Sequence, residues 1–296
     1  MSIYATLAYA LAEMSAVSAG ASQTTLDNAK IFNNLRSASR KLDNKMGMKR
    51  PVFCPYVEAR DFLVTTDKVD SLLHTFDISY HPFGGFLLAI TSVVIGSTTL
   101  VASTDYLAYP SSTIPPYRFL RLRNGNSWYD YSSSNSYDPL TVTVTGIWGM
   151  HRDYANAWHK VDDLAADINA SVTSLTVADV DGADLYGITP RISAGNLLRI
   201  GSEYLLVTAT NTTTNVVTVQ RGVNGSTAAG HSTGDDVDVW QVEEVVRDAV
   251  AKQAGLKYER RGAYTTVEVQ GMSEVRFPSD VMQEVWAVVQ EMQYAS

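Results

Sequence analysis

The sequence predicts an α+β protein: an amphipathic helical body with a β-strand region, into which an all-β barrel or sandwich domain is inserted. Three observations predict it. Apolar residues recur every three or four positions near both ends of the chain, the period of a helix with one buried face. Between residues 51 and 149 the pattern changes to short β-branched and aromatic runs bounded by Gly, Pro, Ser and Asn. Strand signals return over 161–241 with a charge bias of their own. The resulting division is N-terminal helices at 1–50, a strand region at 51–160, an inserted all-β module at 161–241, and C-terminal helices at 242–296 that pack back on the body.

The first helix is expected from Thr6 to about Ser18, rich in Ala. A second runs over 24–46, where Ile31, Leu35, Ala38, Leu42 and Met46 form one stripe. Thr24 or Thr25 suits its N-cap and Asp27 the positive end of its dipole; Lys41 and Lys45 suit the negative end, and Gly47 the left-handed stop. Strands follow in "TSVVIG", "TDYLAYP", "YRFLRLR" and "LTVTVTGIWG". The alternation in "TVTVT" gives one packed face and one wet face. The stretch "RNGNSWYDYSSSNSYDP" is a polar connection, with a tight turn at Asn124-Gly125.

In the module, "SVTSLTVADVDG", "LLRIGSEYLLVTAT", "NVVTVQRG" and "DVDVWQ" read as strands joined by "NTTTN" and "VNGS". Helix returns at 242–260, with Val242, Val245, Val246, Ala249 and Val250 on one face, and again from about 280 to 294. There Val281, Val285, Val288, Val289 and Met292 form a stripe that Trp286 widens. These helical stripes offer candidate subunit contacts at Leu35, Leu42, Val246, Val250, Val285, Trp286 and Val289.

The 296 residues are 45% hydrophobic and 18% charged, a folded and not a disordered composition. No apolar run approaches the length of a membrane span. The apolar start has no Lys or Arg before Lys30, so it lacks the basic region of a secretory signal and reads as helix. The single Cys54 forms no internal disulfide and reads as a small buried apolar residue. Net charge is −8, running from +4 over 1–60 to −2 over 61–160, −7 over 161–241 and −3 over 242–296. An acidic chain is a poor partner for a phosphate backbone. The basic face of Lys30, Arg36, Arg40, Lys41 and Lys45 therefore reads as a surface for acidic groups of a protein in preference to DNA.

Four patterns raise the question of chemistry. Gly230-His231-Ser232-Thr233-Gly234 fits the G-x-S-x-G nucleophile elbow, which needs a strand before the serine and a helix directly after it. Here an alternating strand pattern follows, so the motif reads as turns. The run Asp179 to Asp184 suggests a calcium loop, yet the position of the closing glutamate is Pro190, and the flanks are strands; a solvated acidic turn is expected. His151, Asp153 and His159 have a spacing that fits no usual short zinc pair. No phosphate-cradling glycine motif occurs. The expectation is no catalytic, metal or cofactor site.

The segments "YATLAYALAEM", "SASRKLDNKMGMKRPVFCP" and "ITSVVIGSTTLVASTDYLAYP" are similar to the phage head–tail adaptor (connector) family. That family has an N-terminal helix pair, a Ser-Arg-x-x-Asp run before a Gly, an aromatic-Pro strand start and a strand entering a hairpin. The matching residues are Ser39-Arg40-Lys41-Leu42-Asp43, Gly47, Phe53-Cys54-Pro55, and Asp105-Tyr106 through Pro110. Residues 197–231 resemble a β module of phage structural proteins, and 242–263 resemble the adaptor C-terminal helix. The first helix departs from the usual Thr-x-x-Glu opening, since Tyr9 follows Thr6 at that spacing.

The resemblance implies a non-enzymatic virion protein of the phage neck. Its copies would form a ring, commonly dodecameric, beneath the portal protein. The ring extends the DNA channel without sequence-specific binding and docks the tail or a head-closure protein. The alternatives are another neck, tail or decoration protein using the β module to bind a partner or glycan, and a serine hydrolase built on Ser232.

Overall fold

The structure, a computed structural model, describes residues 3–17, 27–65, 68–70, 74–79, 86–111, 113–123, 125, 127–129, 140–184, 187 and 189–259. The chain divides into two compact units. One comprises 1–42, 159–223 and 227–296, the other 43–158 and 224–226.

The second unit is a β-sandwich. One sheet has the order β1-β8-β4-β5, built from β1 (Tyr56–Leu63), β4 (Leu87–Ile95), β5 (Thr98–Leu100) and β8 (Thr141–Trp148). The other has the order β2-β3-β7-β6, built from β2 (Val69–Asp70), β3 (Thr75–Asp77), β6 (Tyr106–Tyr109) and β7 (Phe119–Leu122). All pairings are antiparallel. In β8, Val142, Val144 and Trp148 face the core while Thr141, Thr143 and Thr145 face outward, the pleat's period of two made physical. An aromatic cluster fills the space between the sheets. Phe62 meets Phe76 edge-on at 6.2 Å and Trp148 at 5.9 Å, and Phe76 lies 5.0 Å from Trp128.

The first unit joins a six-stranded antiparallel sheet to helices. Its order is β10-β13-β12-β11-β14-β9. The strands are β9 (Trp158–Asp163), β10 (Ser174–Thr176), β11 (Leu197–Ile200), β12 (Glu203–Asn211), β13 (Val216–Gln220) and β14 (Asp236–Trp240). Leu164, just past one edge strand, bridges Val177, just past the other, so the sheet curls closed around Leu175, Leu198, Ile200, Leu205, Val217 and Val237.

Helix α1 (Leu7–Val17) begins where the Thr6 hydroxyl accepts the Tyr9 N–H at 3.1 Å. The two preceding free N–H groups go to the Ala194 carbonyl and the Ser193 hydroxyl. Helix α2 (Asn28–Lys45) is capped by Asp27, whose carboxylate accepts the Lys30 N–H at 3.0 Å. It ends in a paired Gly47-to-Asn44 and Met48-to-Asp43 closure, with Gly47 at φ +71°. Helix α3 (Glu244–Glu259) packs on α1. The Tyr9 hydroxyl donates to Asp248, and Arg247 sits 4.3 Å over the Tyr9 ring. Burial, reinforced by the Asp248 bond, pushes the Tyr9 phenol up to about 12.

The expected helical body is corrected. Among the described residues the fold is mostly β, with fourteen strands in three antiparallel sheets and three helices. The expectation fails because five strands carry no clean alternation. In β1, "YVEARDFL", Arg60 occupies a core-facing position, stacked 4.0 Å over Trp148. The outward Asp61 and Leu63 then read as one mixed polar run. Strands β2, β3 and β5 are two or three residues long, too short to show a period. Strand β9, "WHKVDD", is largely polar. The expected helix at 280–294 lies outside the described residues.

Candidate functional site

The most completely built polar site lies in the first unit, around the sequence motif 230–234. Strand β12 opens with Glu203 inside an otherwise apolar run, and its carboxylate is fully buried. An ionised carboxylate in that position is costly without partners. Five donors meet it. Arg221, just after β13, gives Nε to Oε1 at 2.6 Å and Nη2 to Oε2 at 2.7 Å. The backbone N–H groups of Gly222 and Ala229 donate at 3.1 and 3.0 Å. His231 Nε2 lies 2.9 Å from Oε2. A carboxylate only accepts, so Nε2 carries the proton.

Arg221 is equally committed. Its remaining N–H groups donate to the carbonyls of Asn169, Val172 and Ala229 at 2.9, 2.7 and 2.5 Å. With the two bonds to Glu203, all five of its donors are placed. Burial raises the Glu203 carboxyl's pKa, but the Arg221 fork, the Ala229 N–H and His231 outweigh it and hold the group down at about 2. The cluster ties three loops, at 169–172, 222 and 229–231, to the end of one strand. It is a closed ionic clamp with no donor left over for a substrate.

Ser232 sits on a turn. His231 bridges Ile168, the Asp235 N–H returns to the Ser232 carbonyl at 3.1 Å, and β14 begins at Asp236. The Ser232 N–H goes to Asp235 at 2.9 Å, and Thr233 gives both N–H and hydroxyl to Asp167. No helix follows the serine, and the adjacent imidazole is turned onto Glu203, so the elbow's geometry is not assembled here.

The acidic run folds as a side-chain-capped turn. Asp179 accepts the N–H groups of Asp181 and Gly182, each at 3.1 Å, and pairs with Arg191 at 2.6 Å. His151 Nδ1 accepts the Asp153 N–H at 3.1 Å. Among the described residues no three His, Cys, Asp or Glu side chains converge in a metal-like group. No helix among them is long and apolar enough to cross a membrane.

The predicted contact residues are distributed as follows. Leu35 and Leu42 on α2, and Val246 and Val250 on α3, are buried inside the single chain at 1% exposure or less. Val285, Trp286 and Val289 lie outside the described residues. On the basic face, Lys30 pairs with Asp27 at 2.5 Å, Arg36 is half-buried, and Arg40, Lys41 and Lys45 are exposed. Among the described residues, the large apolar side chains that reach the surface are Leu63, Val101, Ile114, Tyr129 and Val245.

Sequence reasoning did not single out Glu203 or Arg221. The available signal was an opposite pair, each charge set at the end of an apolar strand of one hairpin, which is an unfavourable place for either alone. In the sandwich unit a smaller cluster, also unanticipated, has Arg60 donating to Glu58 at 2.7 Å, with Arg50 3.3 Å from the same carboxylate. Burial brings the Arg60 guanidinium down to about 10, against the support of Glu58.

No protein-family model matches the chain, and no curated protein matches it as a relative.

Proposed function

We propose that the chain is a structural protein of a tailed-phage virion, a head–tail adaptor whose copies close into a ring beneath the portal. In this reading the ring extends the DNA channel and docks the tail or the next neck protein, and the chain performs no chemistry of its own. The observation that carries the reading is the character of its best-built polar cluster. Residues 197–231, which resemble a phage structural module, are organised around Glu203 and Arg221, whose hydrogen-bonding groups are spent on holding loops. Such a cluster suits a rigid part, where fixed shape is the function. The exposed Arg40, Lys41 and Lys45 would meet acidic groups of a neighbouring protein, in keeping with a net charge of −8.

A second virion role, as a tail or decoration protein that meets a partner or a glycan, is favoured by one finding. The strand region forms a complete two-sheet sandwich, where an adaptor would be expected to have a helical body. Negative-stain imaging with mass measurement of the purified chain, alone and with its portal, separates the two. A closed ring with a central hole is expected of the adaptor. A trimer, or a protomer that stays single beside the portal, would overturn it.

A further inference from the structure

A cleft of about 390 Å³ opens in the sandwich unit, within the size range of small-ligand sites. It is lined by Leu88 and Ile90 of β4, by residues of β6 and of the 113–117 loop, and by the turn at Tyr154. Among the described residues no charged side chain lines it. The polar side chains that line it are Ser103, Tyr106, Thr113, Tyr117 and Tyr154, and each is a hydroxyl. Tyr106, 3% exposed, is one of the lining residues, and its hydroxyl makes no hydrogen bond among the described residues. The Tyr117 hydroxyl likewise has no partner among them. Burial raises both phenols, and for Tyr106 the neighbouring Tyr117 adds to the effect, so both keep their protons and can donate as well as accept.

We infer that this cleft is a binding site for a neutral sugar unit. The reasoning is chemical complementarity. A charged ligand would leave water for walls whose described residues hold no counter-charge, which disfavours it. A purely apolar ligand would cover the Tyr106 and Tyr117 hydroxyls and leave them unpaired. A sugar ring offers hydroxyls that donate and accept, as the lining groups do, together with an apolar face for the tyrosine rings and Leu88. The site lies in the sandwich and depends on neither ring formation nor the Glu203 cluster.

The test is saturation-transfer NMR on the intact chain with methyl glucoside, methyl galactoside and N-acetylglucosamine as probes, and glucuronate as the charged counterpart. At least one neutral sugar should bind saturably, and glucuronate should bind about tenfold more weakly or not at all. Tyr106→Phe and Tyr117→Phe each delete one oxygen that has no hydrogen-bond partner among the described residues, so both variants should keep the parent's melting temperature. Each should weaken the sugar by about 3- to 10-fold. Absence of saturable binding by all three neutral sugars would overturn the inference, as would affinity unchanged in both variants, or glucuronate binding equally well. A different result would overturn it in favour of protein docking: no sugar binding, with concentration-dependent self-association that Ile114→Asp abolishes. Ile114, between lining residues Thr113 and Pro115, is 64% exposed at the cleft's edge.

Discussion

Arg221 grips Glu203 through two parallel bonds of 2.6 and 2.7 Å, with the carboxylate fully buried and the guanidinium side chain 5% exposed. Such a pair is unforgiving of half-removal, since the remaining charge is left in a dry site. Arg221→Met is therefore expected to destabilise the first unit by about 3–5 kcal/mol. Hydrogen exchange should show the loss on the amides of β12 and β13. The double variant Glu203→Gln/Arg221→Met should recover part of it, because no uncompensated charge remains. Equal damage in the single and double variants would mean that shape, and not charge, governs the site.

The same carboxylate sets an acid limit. Its folded pKa of about 2 lies below the ordinary glutamate value of 4.5. A depressed carboxyl contributes stability that is fully present above the unfolded value and is lost as pH falls through the folded one. Glu203 should thus supply on the order of 3 kcal/mol at neutral pH, fading between about pH 4.5 and 2. Urea midpoints measured across that window should fall steeply for the parent. They should fall less steeply for Glu203→Gln, which has no carboxyl to titrate at that position.

These two residues also mark where the sequence stops being readable. Thr141 to Thr145 announces β8, because a half-buried strand must alternate and nothing else on the strand interferes. Strand β1 hides itself, because its core face includes Arg60, made tolerable only by Glu58 and the Trp148 ring, which come together in the folded state. Glu203 is hidden for the same reason: its partners lie 18 to 28 residues away along the chain. The helices were legible as apolar stripes at Leu35, Leu42, Val246 and Val250. A stripe records only that a face is dry, and a chain's own core dries it as well as a second subunit does.

Helix α1 depends on a loop far away in sequence. Its first three free N–H groups go to Ala194, Ser193 and Thr6. Thr6→Ala removes one cap and should cost about 1 kcal/mol. Ser193→Ala removes a second acceptor and should cost a similar amount. Each should lower exchange protection in α1 while leaving β8 unchanged. Simultaneous loss in β8 would show that α1 and the sandwich open together and not as separate units.

Two glycines separate lack of space from backbone strain. At Gly146 on β8 an added Cβ would fall 2.1 Å from the Ala89 carbonyl oxygen and 2.9 Å from Leu87 Cδ1. The carbonyl belongs to the paired strand β4, so the sheet itself must shift, and Gly146→Ala should cost about 1–3 kcal/mol or more. At Gly47 nothing lies within 4 Å, but φ is +71°. Gly47→Ala should cost about 1 kcal/mol through the left-handed backbone alone, and Gly47→Asn should cost less, since asparagine tolerates that region. Thermal melts of the three variants should rank Gly146→Ala lowest, Gly47→Ala next and Gly47→Asn nearest the parent. A Gly47→Asn protein no more stable than Gly47→Ala would show that the α2 terminus does not need its left-handed turn.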